Sequence, residues 1–373
     1  MKISIIGPTH PYRSGISHYN TLLCDELKRY HDISLYSFSR QYPGFLFPGT
    51  SDIDTISRFQ LKEDRAQYTI DSLNPVTWFS TLHKIRKDSP DLIIAHWWTT
   101  FWGPLYITLL PILKKMTGAK ILLICHNVED HENSSFKRLI AKKVFPVADF
   151  HIVHSEECKN RLAKMLPGTN AEKVFHPLYS VFNRNRISPE KARERLKLSG
   201  NVMLFFGIIR KYKGLRYLLE AMPFILKKTD LTLIIAGEFW EGKDYYLHLI
   251  KEKGLTDKIR VIDRFIPNED IEIYFKAADA VVLPYVKGTG SGVAQLALAF
   301  GVPIIATKVG SLPEIVEDGK TGYLVEPENP EELADKVIKY FKSGKKDHFV
   351  KNMGQGNRIY SWKRLREAIE SLL

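Results

Sequence analysis

The sequence predicts an α/β protein built from two doubly wound, parallel-sheet domains. Short β-branched apolar runs alternate with amphipathic helical stretches along the chain. The alternation breaks at HPLYSVFNRNRISPE and then restarts. The 373 residues also exceed the roughly 250–300 at which a single hydrophobic core stops growing.

The first half opens with the strand ISIIG, a helix from about Ile16 to Tyr30 and the strand ISLYSF, a βαβ start. An irregular stretch runs from Arg40 to about Asp71. A helix near Pro75 to Arg86 then leads to DLIIAH, and further helices lead to ILLICH, FHIVHS and EKVFHP. These runs are apolar nearly throughout, as parallel strands covered on both faces require. In the second half VMLFFG, LTLIIAG, IRVID, AVVLP and PIIAT read as strands. The helices expected there are Leu215 to Lys227, Tyr245 to Lys253, Asn268 to Ala277, Ser291 to Phe300 and Glu331 to Phe341. The domains are placed at 1–177 and 178–357. In the tail, 358–373, Leu365, Ile369 and Leu372 share one helical face, expected to pack back on the first domain. Ligands of such folds bind outside the carboxyl ends of the strands, here in a cleft expected between the two domains.

Composition narrows the function. Apolar residues are 44% and charged residues 26% of the chain, as in globular proteins. Cys24, Cys125 and Cys158 are scattered, without the spacing of a zinc site or a disulfide framework. The net charge of +12 favours an anionic partner, nucleotide phosphates or acidic lipid head groups. Nucleic acid is not expected, because no basic-aromatic recognition motif is present. The uncharged stretch from Leu92 to Leu113 is broken by His96, Gly103, Pro104 and Pro111, so it reads as a strand and a helix instead of a membrane span. ISIIG is too short for a secretory leader, and a cytoplasmic location is expected. Lys137, Arg138, Lys142 and Lys143 beside Phe136, Leu139, Ile140 and Val144 suit peripheral contact with an anionic membrane; the same pattern also serves a solvated amphipathic helix.

Four loops fall at strand ends. GPTHPYRSGIS carries Gly7 and Gly15 into a helix, whose free N–H groups suit phosphate. His126 ends ILLIC and precedes an acidic loop, a position that suits contact with a sugar and equally a satisfied structural histidine. His96 and His154 have the same placement and read as structural. FFGIIRKYKGLRYLLEA sets Arg210 and Lys213 before a helix, paired cations for a diphosphate and for the charge that develops on a nucleotide leaving group. Lys211 and Arg216 read as a solvated face. In YVKGTGSGVAQLALAFG, Gly288, Gly290 and Gly292 surround Thr289 and Ser291 as an anion nest.

The PYRSGIS loop, His126 after a strand, GIIRKYKGLRYLLEA and GSGVAQLALAFGVPIIATKVGSLPEIVEDGKTGYLVEPENPEELA occur in order and in register. By these segments the chain resembles the family-4 glycosyltransferases of GT-B fold along nearly its whole length. The resemblance implies a hexosyltransferase with a UDP- or GDP-sugar donor on the C-terminal half and a glycan or lipid-linked acceptor on the N-terminal half. Retention of configuration, no metal and no cofactor beyond the donor come with it. Carried over by position, Gly15 and Gly207 are loop glycines at the donor, His126 the sugar-contacting histidine, Lys213 the diphosphate lysine and Glu314 the residue after a glycine turn. The backbone of Gly290 to Gly292 completes the donor site. There are three departures. Ile208 stands where the family has Arg, leaving that work to Arg210. Gly288 and Leu296 stand where it has paired Glu, with Gln295, Thr289 and Ser291 as substitutes. Ser14 and Gly15 stand for paired glycines. A sugar-nucleotide 2-epimerase of the same fold, or a catalytically silent nucleotide-sugar-binding protein, are the alternatives. No G-x-G-x-x-G follows either first strand, which argues against a nicotinamide enzyme.

Overall fold

The computed structural model describes residues 1–44, 47, 49–128 and 135–373, and their side chains apart from those of residues 355–357. The acidic loop after His126 falls largely at 129–134, outside the described residues. The chain divides into two compact units. One comprises Met1–Ile56, Gln60–His176 and Ser361–Leu373; the other comprises Ser57–Phe59 and Pro177–Tyr360.

The first unit is a sheet of β1 (Lys2–Ile6), β2 (Asp32–Arg40), β3 (Gln67–Asp71), β4 (Leu92–Trp97), β5 (Lys120–Cys125), β6 (Phe150–Val153) and β7 (Ala171–Lys173). Its order is β3-β2-β1-β4-β5-β6-β7, every neighbour parallel. Side chains alternate across it. Ile93, Ala95, Ile121 and Leu123 face the helices Pro75–Asp88 and Gly103–Thr117. Leu92, Ile94, Leu122 and Ile124 face the helices Gly15–Leu27 and Trp362–Ser371. Leu365 and Ile369 of that last helix are fully buried, and Arg366 reaches Glu26 at 3.2 Å.

The second unit contains β8 (Asn201–Phe206), β9 (Leu231–Ala236), β10 (Ile259–Ile262), β11 (Ala280–Leu283), β12 (Ile304–Thr307) and β13 (Gly322–Val325). The order β10-β9-β8-β11-β12-β13 is again all parallel. Met203, Phe205, Leu233, Ile235, Val282 and Ile305 form one face of its core, under Leu218, Met222, Val337 and Phe349. The stretch Leu92 to Leu113 resolves into β4 and part of the helix Gly103–Thr117. Among the described residues no helix is long and apolar enough to cross a membrane.

Some elements differ from the sequence reading. The stretch from Arg40 to Asp71 contains β3, an edge strand whose polar QYTID lacks the apolar run of a central strand. β13 and the helices Pro189–Arg195 and Lys346–Gly356 are further additions. Ser57–Phe59 belongs with the second unit because Glu269 accepts the amides of Arg58 and Phe59 at 3.0 and 3.2 Å.

Candidate functional site

Both sheets reverse their strand order once, between β1 and β4 and between β8 and β11. Such switch points open a crevice at the carboxyl ends of the strands, because the connections on either side run to opposite faces.

In the second unit the switch point gathers the loops after β8 and β11. Gly214 adopts φ +69°, and a Cβ there would lie 1.8 Å from the carbonyl oxygen of Pro284, so only glycine allows this approach. Val286 N–H donates to Tyr212 O at 2.8 Å and fixes the same register. Lys213 is thereby drawn inward and is 9% exposed. Its Nζ lies 3.3 Å from the Cβ position of Gly207 and 5.9 Å from the ring centroid of Tyr285. The Tyr285 hydroxyl is 3.0 Å from Ser291 Oγ, which caps the helix Gly292–Phe300 by accepting from Ala294 N–H at 3.2 Å. Gly207, Lys213, Tyr285, Ser291 and Gly292 therefore form one continuous group of neighbours.

Burial, and then the nearby positive charge of Arg210, lowers the pKa of Lys213 from 10.5 to about 8. Among the described residues no carboxylate pairs with this amine. Arg210 is differently placed. Its Nε donates to Glu241 Oε1 at 3.1 Å, and the other oxygen of Glu241 accepts Lys211 N–H at 2.9 Å. The two cations expected to act alike are thus distinct: one is paired at the surface and one is buried without a counter-charge.

The remaining donor candidates lie around this group. Thr289 is buried, and its carbonyl accepts Ser311 N–H at 3.0 Å, tying the Gly288 to Gly292 turn to the turn that carries Glu314 in the short helix Leu312–Ile315. Gly290 lies between Thr289 and Ser291 in that turn. Gln295 is 2% exposed, and its Oε1 has no hydrogen-bond partner among the described residues. Gly288 and Leu296 supply no carboxylate, and Leu296 is buried.

In the first unit the switch point is filled by side chains. Gly7 faces His96 and Asn20, and a Cβ there would lie 2.8 and 2.9 Å from them. Asn20 Nδ2 donates to Pro8 O at 2.9 Å, which turns Oδ1 toward His96 Nε2 at 2.9 Å. Nε2 of His96 is then the protonated nitrogen, and Nδ1 accepts from His126 Nε2 at 3.1 Å. The Tyr19 ring packs within 6 Å of His96, His126, His154 and His176 and of Trp362. Burial pushes His96 down to about 3, His154 to about 4 and His126 well below the ordinary value. Gly15 is exposed at the start of its helix, capped by Ser14. His126 thus belongs to a packed, neutral imidazole cluster with His96 and His154. Among the described residues no group of three or more His, Cys, Asp or Glu could hold a metal ion.

Residues 187–356, nearly all of the second unit's main segment, match the family described as Glycosyl transferases group 1. The second unit is similar to that family, the match covering less than half of the chain. It is 27% identical to D-inositol 3-phosphate glycosyltransferase of Corynebacterium diphtheriae over 70% of this chain and 64% of that protein. That match spans less than two thirds of the relative. Spore coat protein SA of Bacillus subtilis is 27% identical over 100% of this chain and 99% of its own. Two solved structures share the fold across both units. Sucrose-phosphate synthase from Thermosynechococcus elongatus superposes with TM-score 0.76 at 17% identity, covering 100% of this chain and 98% of that one. Anabaena HepE in complex with UDP does so with TM-score 0.76 at 18% identity, covering 100% of both. The fold is GT-B, shared with these neighbours.

Sequence reasoning missed Tyr285 and Glu241. Tyr285 follows AVVLP directly, so its position at a strand end was a usable signal.

Proposed function

We propose that this chain transfers a hexose or related sugar from a UDP- or GDP-sugar to a glycan or lipid-linked acceptor. The buried, uncompensated amine of Lys213 carries this reading. A desolvated ammonium without a counter-ion costs free energy until an anion arrives. It lies beside Ser291 and the N-terminus of the helix Gly292–Phe300, where backbone N–H groups favour a phosphate. In the reaction the sugar's anomeric C–O bond to the diphosphate breaks, the acceptor oxygen forms the new bond to that carbon, and the hydroxyl proton passes to the departing diphosphate or to water. Lys213 and the helix amides stabilise the charge left on the diphosphate. The resemblance adds retention, metal independence, His126 as the sugar-contacting residue and an acceptor on the first unit.

Peripheral membrane contact is part of the proposal. Phe136 and Leu139 are 69% and 52% exposed on the helix Ser135–Val144, beside exposed Lys142 and Lys143. Salt-sensitive binding to anionic vesicles reads this directly.

A thermal-shift panel of UDP- and GDP-sugars tests the donor. A true donor at about a hundred times its dissociation constant adds roughly 2.7 kcal/mol to stability. No shift with any member contradicts the proposal. A shift without transfer to any acceptor favours the silent nucleotide-sugar-binding protein, the reading that Gly288 and Leu296 support.

A further inference from the structure

The loop after β9 extends the sheet pairing past the strand ends. Gly207 N–H donates to Ala236 O at 2.8 Å, Ile209 N–H to Glu238 O at 2.9 Å and Trp240 N–H to Ile209 O at 3.1 Å. A Cβ on Gly237 would lie 2.1 Å from Gly207 O, so the two turns touch backbone to backbone. This brings Glu238 to the level of the Lys213 pocket, one strand further from the switch point. Glu238 is 8% exposed, and the Trp240 indole N–H donates to its Oε2 at 3.3 Å.

We propose that Glu238 is the ribose-binding residue of this site, its carboxylate accepting the 2′ and 3′ hydroxyls of a nucleoside diphosphate. The inference rests on the reading of Lys213 as the diphosphate lysine. A ribose is joined to its α-phosphate through one ester oxygen and one methylene, a reach similar to the strand spacing of about 4.8 Å. With the diphosphate at the end of β8, the ribose reaches the end of β9. A vicinal diol offers two donors, and an ionised carboxylate is the acceptor that takes both. In doubly wound sheets of this strand order, an acidic residue past the second strand serves a ribose in this way, and β9 is the second strand here.

The test is calorimetric titration of the full chain and of Glu238→Gln with inorganic pyrophosphate, UDP, GDP and the two 2′-deoxy counterparts. The wild type should bind the better ribonucleotide about tenfold or more tightly than its deoxy form. Glu238→Gln should erase that ratio while leaving pyrophosphate affinity within about twofold. Equal affinity of the wild type for ribo and deoxy forms overturns the proposal and leaves the lysine reading intact. Equal weakening of both forms in Glu238→Gln also overturns it. Binding of pyrophosphate without any nucleoside diphosphate ends the ribose assignment alone; failure of all five ligands ends the lysine reading with it. Should Glu238→Gln not fold, the wild-type ratio decides.

Discussion

At the switch point of the first sheet, between β1 and β4, both ring nitrogens of the buried His96 are satisfied by neighbours, whereas His154 Nε2 has no partner among the described residues. Asn20, His96 and His126 form a hydrogen-bonded chain, and the Nδ1 of His154 lies 2.8 Å from Val174 O. At the corresponding point of the second sheet, between β8 and β11, the buried base is an ammonium with an aromatic face, a strand-end glycine and a helix N-terminus around it. A neutral imidazole can be buried at modest cost once its nitrogens are bonded, whereas a cation cannot. The contrast is therefore between His96, whose two ring nitrogens are bonded within the first unit, and Lys213, whose buried amine has no carboxylate beside it among the described residues. Burial of a base signals function where its partner must come from outside.

Substitutions should separate the two centres. The largest effect expected is on Lys213→Ala, which should weaken nucleoside diphosphate binding at least ~100-fold, with a melting temperature at or above that of the wild type. Titration calorimetry and a melting curve on the same preparation check both. His96→Ala should do the reverse. It removes the partner of Asn20 Oδ1 and of His126 Nε2 and opens a cavity, costing about 3 kcal/mol in denaturant melts, with nucleoside diphosphate affinity unchanged.

Acid should single out the first unit. The folded-state pKa values of His96, His126 and His154 lie below the ordinary 6.5. The unfolded chain thus takes up protons that the native cluster excludes. Stability from these groups is complete above pH 6.5 and is lost as the pH falls toward 4, and His96→Asn should blunt that loss in a pH series of melting curves. Tyr285→Phe is the mildest change. Loss of the bond to Ser291 should raise the dissociation constant severalfold, on the order of 1 kcal/mol, in the same titrations.

Much of this contrast was legible in the residues. Apolar strands ending in Gly207, Pro284 or His126 marked the carboxyl edge of each sheet, and Lys213 and Ser291 fall in the loops after two of those ends. The difference between Arg210 and Lys213 was not legible, because it depends on Glu241, brought to Arg210 by the pairing of the loops after β8 and β9. His96 read as structural, and His126 as a site residue, from identical strand-end positions. Their mutual hydrogen bond required the chain order β1-β4-β5, which periodicity does not reveal. β3 escaped because an edge strand needs no continuous apolar run.

Lys213 provides the most direct measurement. With its pKa near 8 in the ligand-free chain, the amine is largely neutral at pH 9, and a diphosphate drives it back to the charged form. Titrating UDP or GDP at pH 9 in two buffers of different ionisation enthalpy should show uptake approaching one proton, with affinity falling as the pH rises further. Binding at pH 9 with no proton uptake would mean that the phosphate meets some other group, and the contrast between the two switch points would lose its basis.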